Sequence, residues 1–359
     1  MNKRFQASSL AAALLLALSA FAGAQTNERV MATRTAAAAT ARPATASAAL
    51  ASLPASDMVI FVDTQRLVND TVPNFLAGDA ALLARVNSKI ERFQKETGID
   101  ARTLESLAIG LRFPSQPSRG DMKFVTIASG SFVAGDLIEA GFAAAKRKEN
   151  IGREEQVYEG KKIFILTSPR DRAPAAAPAD DSSAARTDAH RMAVAELDAN
   201  TIVVGDLESV RATLNPSLAR VDQGLVDLAT RTPNAFASFA GNIPPGTARG
   251  FGIGNSKADK LAASIRQIYG SVSTIGTEAQ TFLAARTENA EQAHDLAQAI
   301  KGLKLLSKFG VGGHSGMGKT QAEALSKLID DLSVTSEANQ VEIKMNVAQS
   351  DIAPLMRNF

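Results

Sequence analysis

Two stretches far apart in the chain follow one plan, and that plan constrains the fold more than anything else in the sequence. "VAELDANTIVVGDLESVRATL" (194–214) and "SVTSEANQVEIKMNVAQSDIAPLM" (333–356) each read as strand, tight turn through Ala-Asn, strand, short helix. A turn this short can join only antiparallel neighbours, because a parallel pair needs a crossover of a dozen residues or more. The recurrence therefore predicts an α+β fold: two related lobes of mostly antiparallel sheet, with helices packed on one face, over residues 53–232 and 233–359.

The stretches between fit that plan. "DMVIFVDT" (57–64) is an apolar run closed by an acid and reads as a buried strand. Residues 64–77 look helical. The next segment is a clearer amphipathic helix, with Leu82, Leu83, Val86, Ile90 and Phe93 at 3.6-residue spacing, Asp79 as N-cap and Gly98 as C-terminal stop. Strands are expected in "SLAIGLRF" and "KFVTIASGSF", and a helix in "AGDLIEAGFAAAKRK". "QVYEGKKIFIL" is a hairpin turning at Glu159-Gly160. In the second lobe the order is strand "NAFASFAG", helix "KADKLAASIRQI", two strands in "SVSTIGTEAQTFLAARTE", and a long helix "ENAEQAHDLAQAIKGLKLLSKF". A shorter helix, "QAEALSKLIDDL", precedes the last hairpin.

The N-terminus has the plan of a secretory signal peptide: Lys3 and Arg4, an apolar Ala/Leu run from Ala7 to Gly23, and a small-x-small site at Ala22-Gly23-Ala24. Cleavage after Ala24 is expected, giving a soluble exported product, periplasmic or extracellular, with no transmembrane anchor. The remaining apolar runs have strand length. Residues 25–52 are rich in Ala, Thr and Ser and read as a disordered tether, and "SPRDRAPAAAPADDSSAARTDAHR" (168–191) as a disordered loop. With no cysteine, an exported chain must rest on its core alone.

Composition excludes several functions. Without the signal, 37 basic residues balance 37 acidic ones, so nucleic acid and anionic lipid find no electrostatic footprint. There is no Trp, and Tyr158 and Tyr269 are the only tyrosines, which leaves little for base stacking.

The motifs are weak. "GHSGMGKT" (313–320) matches a phosphate-cradling loop at Gly313, Gly318, Lys319 and Thr320. That chemistry needs a buried strand before the loop, and here a lysine-containing helical pattern precedes it. Only 39 residues follow, too few for the remaining crossovers of a nucleotide-hydrolase sheet. Five of the nine residues from Gly310 to Gly318 are glycine, so the loop reads as a connector between two helices. A hydrolase elbow fails at Met317, which stands where the pattern needs glycine. "GFGIG" (250–254) lacks the dinucleotide pattern.

His190, His294 and His314 share no metal-ligand spacing, and no metal or cofactor is expected. Adjacent acids at Glu154-Glu155, Asp180-Asp181 and Asp330-Asp331 point apart on a helix or strand. Asp63 and Asp206 each end an apolar strand just before a helix, where N-capping accounts for them. No catalytic, cofactor-binding or metal residue is assigned.

The run "LPASDMVIFVDTQRLV" with "RVNSKIERFQKETGIDARTLESLAIGLRF" resembles a group of uncharacterised exported bacterial proteins of unknown function, across about residues 53–113. The resemblance implies an exported two-lobed α+β protein and carries over no functional residue. The expectation is a non-enzymatic periplasmic or envelope protein that binds an unknown envelope protein or small ligand. The alternative is an enzyme, either nucleotide-binding through Gly313–Thr320 or a hydrolase without metal.

Overall fold

A computed structural model of the 359-residue chain describes residues 45–114, 122–167, 191–245, 256–276, 278–310, 326–348 and 350–351. The signal-peptide region, the 168–190 loop, "GFGIG", and Gly313–Thr320 lie outside the described residues.

Every strand joins one twelve-stranded sheet of order β11-β12-β10-β9-β8-β1-β2-β3-β7-β6-β5-β4, antiparallel throughout. The first half holds β1 (Met58–Asp63), β2 (Leu104–Arg112), β3 (Lys123–Gly130), β4 (Gly152–Tyr158), β5 (Lys161–Thr167), β6 (Met192–Asp198) and β7 (Thr201–Asp206). The second holds β8 (Ala235–Asn242), β9 (Ile265–Ile275), β10 (Glu278–Thr287), β11 (Ser333–Glu337) and β12 (Gln340–Ala348). Each half lays down three strands, then a hairpin whose second strand pairs with the third; the first half adds β4 and β5 outside. The halves meet where β1 pairs with β8, Met58 opposite Gly241 and Phe61 opposite Ser238.

Strand alternation sends β1 into two cores. Val59 and Phe61 join a cluster with Ala108, Ile127, Ile163 and Val203, and Val62 joins one with Leu107, Phe164 and Val204 on the other face. Helices cover both faces, which corrects the expectation of helices on one side only. Helix α1 (45–51), α5 (Leu207–Leu214) and α6 (Gln223–Ala229) pack on the first face, and α4 (Ala134–Glu149) on the second. The physical reason is that β1, β3, β6 and β7 carry apolar side chains at successive positions, so both faces must be dried.

Local signals are realised as read in several places. Asp79 Oδ1 accepts the Leu82 N–H at 3.0 Å at the start of α3 (Ala80–Thr97), and Gly98 ends it at φ 76°, a left-handed conformation that glycine adopts without steric cost. Before α3, helix α2 (64–76) widens into a π turn at Leu67–Thr71. Pro73 follows, and its ring would clash with the Asn69 carbonyl in a regular helix, so the wider turn relieves that clash.

Two boundaries differ from the sequence reading. Residues 265–268, read as the end of a helix, begin β9; helix α7 (Ser256–Ser264) stops just before them. Ile265 and Ile268 are β-branched and give the segment more to gain in a sheet. The predicted tether also ends earlier than residue 52: residues 45–51 are helical, and Leu50 and Leu53 are fully buried in the first core. Pro54 then bridges to Arg220. The segment's Ala and Thr content hid it, because Leu50 is the one large residue that the helix buries, with Ala46 and Ala49 beside it.

Leu50→Ala should therefore lower stability by about 2–5 kcal/mol, the range for emptying a buried leucine site. Urea unfolding of the chain from residue 25 onward measures it. A disordered tether would lose nothing.

Candidate functional site

The acids singled out in the sequence are structural caps. Asp63 Oδ1 accepts the Arg66 N–H at 2.8 Å at the start of α2. Asp206, buried, accepts the Ser209 N–H (3.0 Å), the Ser209 hydroxyl (3.0 Å) and, across the sheet, the Phe124 N–H (2.9 Å). Its neighbour Gly205 is needed for that crossing, since a Cβ there would stand 2.4 Å from the Phe124 carbonyl oxygen. Each carboxylate thus accepts a backbone N–H at the start of a helix, and Asp206 adds one across the sheet.

The other candidates are dispersed. Glu154 pairs with Arg191, and Glu155 with Arg153 and Lys162, at the β4 edge. Asp330 and Asp331 lie on helix 326–331, where the Asp330 carbonyl accepts from Lys304. His294 is exposed on helix α8 (Ala290–Gly310), 3.4 Å from the Gln298 amide nitrogen. His190 and His314 lie outside the described residues, as do Asp180 and Asp181. Among the described residues no group of three or more His, Cys, Asp or Glu could hold a metal.

What the structure does assemble is a polar network on the first face of the second half. There α8 packs on the opposite side, against Ala285, Val334 and Val341, and α6 reaches from the first half no further than β9. The residues of β9, β10 and β12 on the first face then form cross-strand rows, Gln267, Arg286 and Gln340 in one, Tyr269, Ala284 and Glu342 in the next, Ser271, Phe282 and Lys344 in the third, with Tyr269 and Ala284 buried as the end of the first core.

Tyr269 is the anchor. Its ring is buried and lies 5.7 Å (centroid to centroid) from Phe282, while its hydroxyl accepts from Arg231 Nη1 and donates to Gln340 Oε1, both at 2.9 Å. The same Gln340 oxygen accepts Arg286 Nε at 3.0 Å, and Arg286 Nη1 donates to Gln267 Oε1 at 2.8 Å. Both guanidiniums lie over the tyrosine ring, Arg231 at 5.7 Å and Arg286 at 5.3 Å from its centroid, within cation–π range. Gln340 Nε2 completes the row by donating to Glu342 Oε1 at 2.8 Å.

Glu342 is held below the usual carboxylate range, chiefly by the hydrogen bond from Lys344; burial opposes this, while the Lys344 charge, Gln340 and the charge of Arg231 add to it. The network continues toward the join of the halves. Ser271 donates to Thr232 Oγ1 at 2.8 Å, and Thr232 lines a small cleft with Phe61, Asp63, Arg66, Thr230 and Asn234. Arg66 closes one side of it on the Asn234 carbonyl.

Sequence reading missed Arg231, Arg286, Gln267 and Gln340. A signal was present: polar residues recur at every second position in β9 from Gln267 and in β12 from Gln340, and at both ends of β10. Their convergence depends on register across three strands, which no single stretch encodes.

No family model matches the chain, and no curated protein does. Among solved structures, crystal form III of TP0453 aligns over 86% of this chain and 98% of its own at 8% identity and a TM-score of 0.42. Crystal form I aligns over 86% and 96% at 8% and 0.39, and form IV over 86% and 95% at 8% and 0.42. Likeness at this level carries no inference about what either chain does. The class defined by the structure alone is α+β: one antiparallel sheet with helices on both faces. Among the described residues no helix is long and apolar enough to cross a membrane.

The Glu342 contribution has a definite pH sign. A carboxyl whose folded value is lowered stabilises the fold above its ordinary range and ceases to as pH falls through the lowered value. The stability difference between the parent chain and Glu342→Gln should thus be largest at neutral pH and vanish in acid, as read from urea midpoints across pH 2–7 on the order of one-unit steps.

Proposed function

We propose that the chain is an exported, non-enzymatic binding or interaction protein of the periplasm or cell envelope, which takes a partner protein or small ligand on the polar face of β9, β10 and β12. One observation carries the reading: the first face is closed by α1, α5 and α6 over the first half, whereas among the described residues the same face of the second half carries an ordered polar network. A surface that only needed solvation would require no fixed donors, whereas recognition gains from donors already in place.

The signal-like N-terminus supports export, and the absence of cysteine suits a fold that does without disulfides in an oxidising compartment. The cap roles of Asp63 and Asp206 support the non-enzymatic part, since each carboxylate accepts a backbone N–H at the start of a helix.

A photo-crosslinking residue at Asn346, exposed on β12, should trap a discrete adduct in the envelope of the source cell. The same residue at Glu91, exposed on α3, should not. Adducts from both positions alike, or from Glu91 alone, would overturn the assignment of the surface. Hydrolytic turnover abolished by Asp63→Asn, or binding of an ATP analogue abolished by Lys319→Ala, would replace it with the enzymatic alternative.

A further inference from the structure

We infer that Arg231 and Arg286 together form a binding site for an oxyanion group, and that a carboxylate is the chemistry it fits. The inference rests on the reading of this face as the binding surface, and adds to it the class of ligand.

Two guanidiniums converge on one tyrosine ring, and neither has a carboxylate within salt-bridge distance among the described residues. Their acceptors are all neutral: the Tyr269 hydroxyl, Gln340 Oε1 and Gln267 Oε1. Elsewhere Arg153, Arg191 and Arg266 each hold a glutamate, and Arg220 is used up on four backbone carbonyls as a structural clasp. Glu342 feels the charge of Arg231 from beyond ion-pair distance, so the two cations are only partly compensated and a bound anion relieves their repulsion.

The unused donors define the chemistry. Arg231 spends only Nη1, so its Nε and Nη2 edge is free, and that edge presents two parallel N–H groups matched to the two oxygens of a carboxylate. Arg286 spends Nε and Nη1 and keeps Nη2. Gln340 Oε1, shared by Tyr269 and Arg286, fixes the second guanidinium against a buried ring, so little side-chain freedom remains to be lost on binding.

Two protein carboxylates lie nearby, and neither fills the site. Glu342 has one oxygen on Gln340 Nε2 and the other on Lys344 Nζ. Glu337 stands across Gln340 on the edge strand, with no ion pair to either arginine. Lys344, over the Phe282 ring, adds a third cation at the rim, so the patch keeps a positive excess.

Calorimetric titration of the chain from residue 25 with citrate, at low ionic strength, should show one saturable site. Arg231→Gln and Arg286→Gln should each weaken it by about tenfold or more, the loss expected for a charge-assisted hydrogen bond. Arg231→Lys should also weaken it, because an ammonium lacks the two-pronged edge, and it controls for a simple loss of charge. Arg102→Gln, on the remote 3₁₀ turn Ala101–Thr103, should leave it unchanged, and unfolding midpoints verify that each variant folds.

Inorganic phosphate provides the second arm. Phosphate bound more tightly than citrate through the same two arginines would keep the oxyanion site and overturn the carboxylate assignment. No saturable binding of either anion, or binding indifferent to both arginines, would overturn the inference. A positive crosslink at Asn346 in that case would leave the binding surface standing with a neutral or cationic partner, so the two readings fail separately.

Discussion

The antiparallel pairing of β1 with β8 is the contact on which the rest of the molecule depends. Five residue pairs, Met58–Gly241 to Val62–Ala237, turn two half-sheets into one. Without it each half would end in an unpaired apolar edge, a template for aggregation. With it, the first core runs without a break from Ile163 in β5 to Ala284 in β10, and β1 becomes an interior strand buried on both faces. The two lobes read from the sequence thus share a sheet and a core, and the structure answers how two similar units avoid exposing their seam.

The halves repeat one strand order, yet their faces have been finished differently. In the first half the hairpin β6–β7 runs into α5, and α6 and α1 complete a lid of helices over Val59, Ile127, Ile163 and Val203. In the second half the same face carries Gln267, Arg286 and Gln340 beside the buried Tyr269 and Ala284. A sheet face needs either apolar cover or polar side chains that satisfy one another. One half takes the first solution and the other takes the second, so the polar network is part of how the second half stays folded as well as the feature that makes it a surface.

How much of this the sequence showed depends on the range over which each signal acts. Asp79, Gly98, Asp63, Asp206 and the Glu159-Gly160 turn act within four residues, and each is read directly because capping and turn chemistry are local. Helix 45–51 is hidden because it offers only Leu50 as a deeply buried large residue within an alanine-rich run. Its stability comes from a groove built by residues more than 150 positions later, among them Leu225 and Val226. The start of β9 was misread for a related reason: "ASIRQI" continues a helical pattern locally, and only pairing with β8 and β10 decides against it. The Arg231–Tyr269–Arg286 site lies furthest from view, since it needs the register of three strands and a loop from the other half at once.

That dependence on register bears on what the site can be. Gln340 is the first residue of β12 and follows a two-residue turn in which Ala338 takes φ 47°, so its position is set by the hairpin as tightly as by its own hydrogen bonds. Tyr269 sits mid-strand, held by a buried ring and by a hydroxyl that both accepts and donates a hydrogen bond. The two arginines are therefore supported from beneath by strand geometry, Arg231 exposed and Arg286 half-buried among the described residues. This arrangement sets two cations and their neutral acceptors beside a carboxylate already bound to Lys344 and Gln340, so what the strands supply here is charge held in place.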